Sequence, residues 1–375
     1  MKLIDRYIVQ TFSVPWLYCF LAFVMVFMLP DLIGNLNNFV QAKIPINKVL
    51  FYYLSLIPTL LVYIVPVSML MATLYSLYQL THNNELTAMR ASGISLYRLM
   101  MPYVIIGLLA TFGLMAINET LGPRSAWFTE LFLKEVNRKE GEPSAFVNQN
   151  LVYRNAAERR IWEIQRFDTK SPTYQMEQLT ITQVRPNGNN EYRIVAEKGE
   201  WLDGRWTLYN FSRQDFDEKG YKAIRLDEDG QPIRASEVVA WKEMEKFKET
   251  PRVFINEMKD PAFMSYLEMQ HYLSLHAEIS EESVAKITTN MHMRIANPFT
   301  ALVVVLLGIP FGTHTARKGA LTGIIMCLGL FFAYYTLIPI FKHLGHQQIL
   351  PAVVAAWVPN LCFLTVGGIL LHRMR

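Results

Sequence analysis

Glu85 and Arg90 stand five residues apart in a polar loop, 81–98, set between two long apolar stretches. An acid and a base at that spacing suit charge recognition of a partner rather than bond-breaking chemistry. A carboxylate in the first turn of a helix also gains from the positive end of its dipole. Asn83 or Asn84 can cap such a helix, and Gly93 can take the left-handed position that stops it. Leu86, Met89 and Arg90 fall on one side at helical spacing, and Ser95 can cap the helix that follows. The loop therefore reads as a short amphipathic helix. It is either an interfacial connector or a docking element for a partner.

Other chemistry is missing from the chain. No Gly-x4-Gly-Lys-Ser/Thr loop is present to cradle a nucleotide, no His-Glu-x-x-His to bind zinc, and no Gly-x-Ser-x-Gly elbow. His271 and His276 flank a helix turn without a matching ligand set, so no metal site is expected. Cys19, Cys327 and Cys362 all lie in apolar windows and read as small packing residues. Asp31 sits at the outer edge of the first apolar stretch. A proton- or ion-coupled transporter usually needs an ionisable group deeper in the bilayer. No catalytic residue and no cofactor of the chain's own is expected, so an intramembrane enzyme is disfavoured.

The elements that carry the loop are six apolar windows, near residues 7–30, 49–80, 99–118, 295–313, 319–341 and 349–371. Each can cross a hydrocarbon core of about 30 Å, which takes about 20 helical residues. The fold class is an α-helical polytopic membrane protein, three spans plus three, with an inserted soluble block. That block holds most of the charge, which keeps the mean hydropathy at +0.16 although 51% of residues are apolar. The net charge of +4 comes without a dense basic stripe, so no nucleic acid is expected.

Helix one is expected over about residues 10–33, with Pro15 in its first turns, where a missing N–H costs little. Pro58 and Pro66 predict kinks in span two. Helix is expected to continue past Asn118 to about Glu140. From there the pattern changes to short alternating runs, as at 175–185 and 191–197, with turns such as Pro186-Asn187-Gly188 and at Gly204. Later pieces fall at 221–226 and 238–247. This spacing predicts an antiparallel β-domain, sandwich or open barrel, with Trp162, Trp201, Trp206 and Trp241 in its core. Ser265 and Glu268 spell a capping box for a helix reaching about His276, and a second helix starts at Glu281 or Glu282. Residues 312–319 read as a short basic turn. The expected units are spans one to three over 1–120, a connector over 121–144, the β-domain over 145–258, connector helices over 259–293 and spans four to six over 294–375.

Orientation follows from basic residues near the span ends. Lys2, Arg6, Arg90, Arg98, Arg317, Lys318, Arg373 and Arg375 share the side of the termini, against Lys43, Lys48 and Lys342 opposite. The positive-inside rule puts the termini in the cytoplasm and the β-domain outside.

The chain resembles the lipopolysaccharide-export permease family of the LptF/LptG type over nearly its whole length. The resemblance is carried by Ile4-Asp-Arg-Tyr-Ile8, by the loop Glu85-Leu-Thr-Ala-Met-Arg-Ala-Ser-Gly-Ile-Ser95, by Met264-Ser-Tyr-Leu267, and by Pro310-Phe-Gly with Arg317-Lys-Gly319. It implies an inner-membrane subunit that extracts lipopolysaccharide, or a related glycolipid, and is powered by a cytoplasmic ABC ATPase dimer that binds the ATP. It also implies a second permease of the same family and a jelly-roll-like periplasmic β-domain continuing into a bridge protein of similar fold. Glu85 falls where the family places the acidic residue of its ATPase-docking helix, with Leu86, Met89 and Arg90 as neighbours and Gly93 as the stop. A lipid cavity near spans one and five makes Leu36, Phe39, Phe331, Phe332 and Tyr335 candidates. The sequence departs from the family in lacking a cation at the outer end of helix one. Lys43, Lys48 and Lys342, with His343 and His346 nearby, become the headgroup candidates instead. The alternative is a non-transporting scaffold or sensor that displays the β-domain.

Overall fold

The computed structural model describes residues 3–138, 143–223, 225–226, 232–233, 239–244, 247–275, 279–318 and 320–373. Lys2, Glu140, His276, Gly319 and Arg375, named above, lie outside these residues, as do the side chains of Trp241, Arg317 and Lys318. The chain divides into two compact units, residues 1–129 with 280–375, and residues 130–279.

The first unit is helical. It contains α1 (Leu3–Gln41), α2 (Ile46–His82), the short α3 (Glu85–Ala91) and the start of α4 (Leu96–Val136). The chain returns through α7 (Glu281–Ala296), a 3-10 turn (Asn297–Phe299), α8 (Thr300–Lys318), α9 (Ala320–His346) and α10 (Ala352–His372). Six of these stretches are long and apolar enough to cross a membrane. The first helix is longer than expected at both ends. Its 39 residues rise about 58 Å, so Pro15 lies beyond the third turn rather than at the start. The basic segment after Gly312 is helix through Lys318, not a turn, because nothing in Thr-His-Thr-Ala-Arg-Lys breaks a helix. The continuation past Asn118 is found, and α4 runs unbroken to Val136.

Two devices hold these helices together without a hydrophobic driving force. Small residues let backbones approach. Gly308 and Gly312, one turn apart on α8, meet Thr73 and Leu77 of α2. Buried polar groups tie the second triplet. The α7–α8 break at Asn297–Phe299 leaves the Ala296 carbonyl without its usual helical donor, and Asn360 Nδ2 of α10 donates to it at 2.7 Å. Tyr334 of α9 in turn donates to Asn360 Oδ1 and shares a 3.1 Å hydrogen bond with Thr300. Asn360→Leu leaves the Ala296 carbonyl unpaired and the phenol with Thr300 alone. It should cost about 1–3 kcal/mol for the stranded carbonyl, read as a lower thermal midpoint of the detergent-solubilised chain. An unchanged midpoint would dismiss the network's role.

The second unit carries the all-β insertion. Strands β1 (Val147–Asn155), β2 (Arg160–Asp168), β3 (Met176–Val184), β4 (Asn190–Leu202), β5 (Arg205–Asp215) and β8 (Val239–Met244) pair antiparallel in that order. β6 (Arg225–Leu226) and β7 (Pro232–Ile233) form a separate two-stranded ladder. The Asn187-Gly188 and Asp203-Gly204 turns use positive φ at Gly188, Asp203 and Gly204, as tight hairpins require. The inner face buries Trp162, Phe167, Leu179, Ile181 and Trp206, with Trp201 half-buried beside it.

That face is covered by a helix the sequence reading missed, α5 (Pro251–Met258), inside the stretch expected to be β. Thr250-Pro251 is its start signal. Phe254 is fully buried, its ring 5.1 Å from that of Trp162 and 5.3 Å from that of Tyr153. The chain entering α5 is anchored by Glu249. Its carboxylate accepts two 2.8 Å hydrogen bonds from Arg160 and one of 3.0 Å from Asn155, and its carbonyl accepts from Trp206 Nε1 at 2.6 Å. The capping box before α6 (Tyr266–Leu275) forms as read, Ser265 N donating to Glu268 Oε2 and Glu268 N to Ser265 Oγ.

One irregularity runs across β1 to β5. In each of β1 to β5 two successive side chains face outward: 149 and 150, 165 and 166, 177 and 178, 197 and 198, 209 and 210. The alternation resumes in opposite phase beyond them. Register survives because each of these five strands carries the same extra residue at the same level. Pairing lapses along that one row, Asn150, Gln165, Gln178, Glu197 and Asn210. Alternate members of the row, Asn150, Gln178 and Asn210, sit in the left-handed region at φ 58°, 50° and 50°. The result is a crease rather than a set of unrelated bulges.

Candidate docking helix and membrane face

α2 ends at His82, where Asn83 N–H donates to the Gln79 carbonyl at 3.0 Å and Asn84 N–H to the Thr81 carbonyl at 3.1 Å. Asn84 then reverses the chain at φ 58°, a conformation asparagine tolerates better than most residues. Asn84 holds the cap position of α3 but makes no side-chain capping bond, because its backbone is turned the wrong way. Asn83 instead donates to Glu85 Oε1 at 3.3 Å. The far end is a Schellman stop: Gly93 N bonds to Arg90 O at 3.0 Å and Ile94 N to Met89 O at 3.3 Å, with Gly93 at φ 89°. Ser95 Oγ accepts from Arg98 N at 3.4 Å and begins α4.

The expected single face of α3 splits. Leu86 is buried, and Met89 packs half-buried on the same cluster as Leu80, Leu99 and Met100. These two anchor the helix and do not present themselves to a partner, since the apolar side of an amphipathic helix turns to the core. The outward face is Thr87, Ala88, Arg90 and Ala91, with Glu85 at its edge.

Glu85 also has a partner that the sequence did not signal. Tyr7 of α1, 78 positions earlier, donates to Glu85 Oε2 at 2.6 Å. Close by in sequence, Arg98 at the start of α4 donates to both oxygens of Asp5 at 2.9 and 2.8 Å. The first turns of α1 are thus tied at two points to the corner that carries α3. The tie involves residues of the opening pentapeptide, which hinted at importance but not at contact.

The lipid-cavity candidates separate in the same way. Leu36 and Phe332 are exposed on the bundle surface. Phe39 is buried against Tyr52 and Tyr53 of α2, with ring separations of 5.8 and 6.4 Å. Phe331 is buried with its ring 4.5 Å from that of Tyr335. Phe39 and Phe331 are therefore packing residues within this chain, not wall residues. An apolar hollow lies between α1 and α2 toward the α3 end. It measures about 1170 Å³ and is lined by Tyr18, Cys19, Phe23, Leu74, Tyr75 and Tyr78 among others. Lys43 lies on the α1–α2 connection, Lys48 in the first turn of α2, and Lys342 near the end of α9. Asp31 is held by Asn35 and by Tyr52, whose hydroxyl is 3.2 Å from each carboxylate oxygen. Among the described residues no group of three or more His, Cys, Asp or Glu could hold a metal ion.

Six apolar helices with an antiparallel β-domain inserted at their midpoint define a multi-pass membrane protein of the permease type. The chain belongs to the lipopolysaccharide export system permease family LptF/LptG, whose sequence model matches residues 6–373. No curated protein matches the chain. Membership makes it an inner-membrane transporter subunit for lipopolysaccharide export.

Proposed function

We propose that the chain is the transmembrane subunit of an ABC-type complex whose ATPase is a separate cytoplasmic dimer docking on α3. The observation that carries this reading is the posture of Glu85. It sits at the N-terminus of a helix with one face anchored in the bundle and the other open, and its carboxylate is hydrogen-bonded to α1. A partner that grips α3 would thereby pull on both α1 and α2. In this reading the termini and α3 are cytoplasmic and the β-domain is periplasmic. A second family member pairs with the chain to enclose lipopolysaccharide, which passes to the β-domain and on to a β-jelly-roll bridge protein. Nucleotide chemistry stays in the partner, and the chain supplies the moving walls.

Glu85→Lys should reduce co-purification of the cytoplasmic ATPase at least about tenfold, since it replaces a favourable charge on the docking face with a repulsive one. Undiminished complex and transport would sink the docking assignment. A photoreactive residue at Phe332 or Leu36 should capture lipopolysaccharide. If neither site does so in an active complex, a displaying scaffold becomes the better reading.

A further inference from the structure

The crease across the β-sheet forms the floor of a groove of about 640 Å³ on the face opposite the apolar core. Its lining combines Arg166 and Lys198 with Glu177 and Glu197, so the formal charges cancel. Those charges are also engaged with neighbours. Arg166 pairs with Glu177 at 3.3 Å, Lys198 with Glu200 at 2.8 Å, and Glu197 accepts from Asn210 at 2.7 Å.

What remains is amide. Gln149, Asn150, Gln165 and Gln178 line the groove, and their side chains make no hydrogen bond to the described residues. Each amide offers two donors and an acceptor side by side. A phosphate needs donors alone, and a metal ion needs acceptors alone. A sugar hydroxyl donates and accepts at once, so a row of free amides matches a run of hydroxyls. The row is held in place at a conformational cost, because Asn150 and Gln178 both occupy the left-handed region. Aligned strain of this kind in neighbouring strands points to a use for the row.

We propose that this groove binds the saccharide portion of lipopolysaccharide through the amides of Gln149, Asn150, Gln165 and Gln178. The naming of the sugar rests on the lipopolysaccharide reading; the match to hydroxyls rests on the groove itself. Acyl chains have no place on this polar face, and the sheet separates the two kinds of surface.

The test uses the full-length protein in detergent and isothermal titration calorimetry. The probe is lipopolysaccharide oligosaccharide freed of acyl chains and phosphate, with maltoheptaose and inorganic phosphate as comparisons. The oligosaccharide should bind, and Gln165→Leu should weaken it about tenfold, the loss of a good hydrogen bond or two. Gln178→Gly should do the same while leaving thermal stability intact or raised, because glycine accepts the left-handed backbone freely. No binding by the parent protein, or equal binding by both variants, overturns the proposal. Binding of phosphate in place of sugar overturns the hydroxyl assignment, and equally tight maltoheptaose overturns the choice of lipopolysaccharide. None of these readouts involves the ATPase. A failed docking test with intact sugar binding, or the reverse, therefore assigns the failure to one reading.

Discussion

Replacing Glu249 by alanine should lower the stability of the β-domain by about 3–5 kcal/mol, the usual penalty for stripping one partner from a buried ion pair. Arg160 and Glu249 have only 6% and 1% of their side chains exposed. Without the carboxylate, the guanidinium would lie above the Phe247 ring, 4.6 Å from its centre, with Gln183 Oε1 as a remaining acceptor. Asn155 would lose its acceptor as well. The consequence extends beyond the pair, because Glu249 leads directly into α5, and α5 supplies Phe254 to the core. Urea unfolding followed by tryptophan fluorescence reads the effect through Trp162 and Trp206. Replacing both partners with methionine should recover most of the loss, since apolar substitutes remove the stranded charge along with its partner. A Glu249→Ala protein that unfolds at the parent's urea concentration would show that the pair holds nothing together.

A second large effect is expected where α2 meets α8. A side chain at Gly312 would place its Cβ 2.8 Å from Leu77 Cβ. Both atoms are fixed by their backbones, so no rotamer change relieves the overlap and the helices must part. Overpacking of this kind costs about 1–3 kcal/mol, and Gly312→Leu should approach the upper end. Gly308→Ala is the graded control, because it meets Thr73 Cγ2 at 3.1 Å and Leu70 Cδ1 at 3.3 Å, both ends of side chains that can shift. The order of thermal midpoints in detergent should be parent, then Gly308→Ala, then Gly312→Leu. Equal midpoints would mean that α8 does not depend on close approach to α2. The site stands less than three turns before the end of α2, so the same substitution should also disturb whatever motion enters through α3.

The parts legible in the sequence were those written in local chemistry. Apolar length marked the six spans. The Ser265–Glu268 box and the Gly93 stop were read correctly because a cap is set by residues within one turn. The alternation at 175–185 and 191–197 marked strands for the same reason. Contacts between distant positions were not legible. Nothing near Glu85 signals Tyr7, and nothing near Arg160 signals Glu249. Helix α5 was missed because eight residues give too short a pattern to stand out from alternating runs. Apolar residues on spans one and five were indistinguishable from one another by composition. Their division into buried Phe39 and Phe331 and exposed Leu36 and Phe332 depends on which way each helix is rotated.

The crease has a genetic consequence. Side chains along it can be exchanged with little effect on the sheet, but their number cannot change strand by strand. Deleting Gln178 alone would keep Met176 and Leu179 on the inner face, with Glu177 alternating between them, but would leave β3 one residue short of β2 and β4, so that Gln165 and Glu197 would each stand opposite a gap. Only matched deletions in the adjoining strands would restore an even ladder. Related chains should therefore keep the crease at its full length or lose it as a whole, and any limit on which side chains occupy it must come from binding rather than from the sheet.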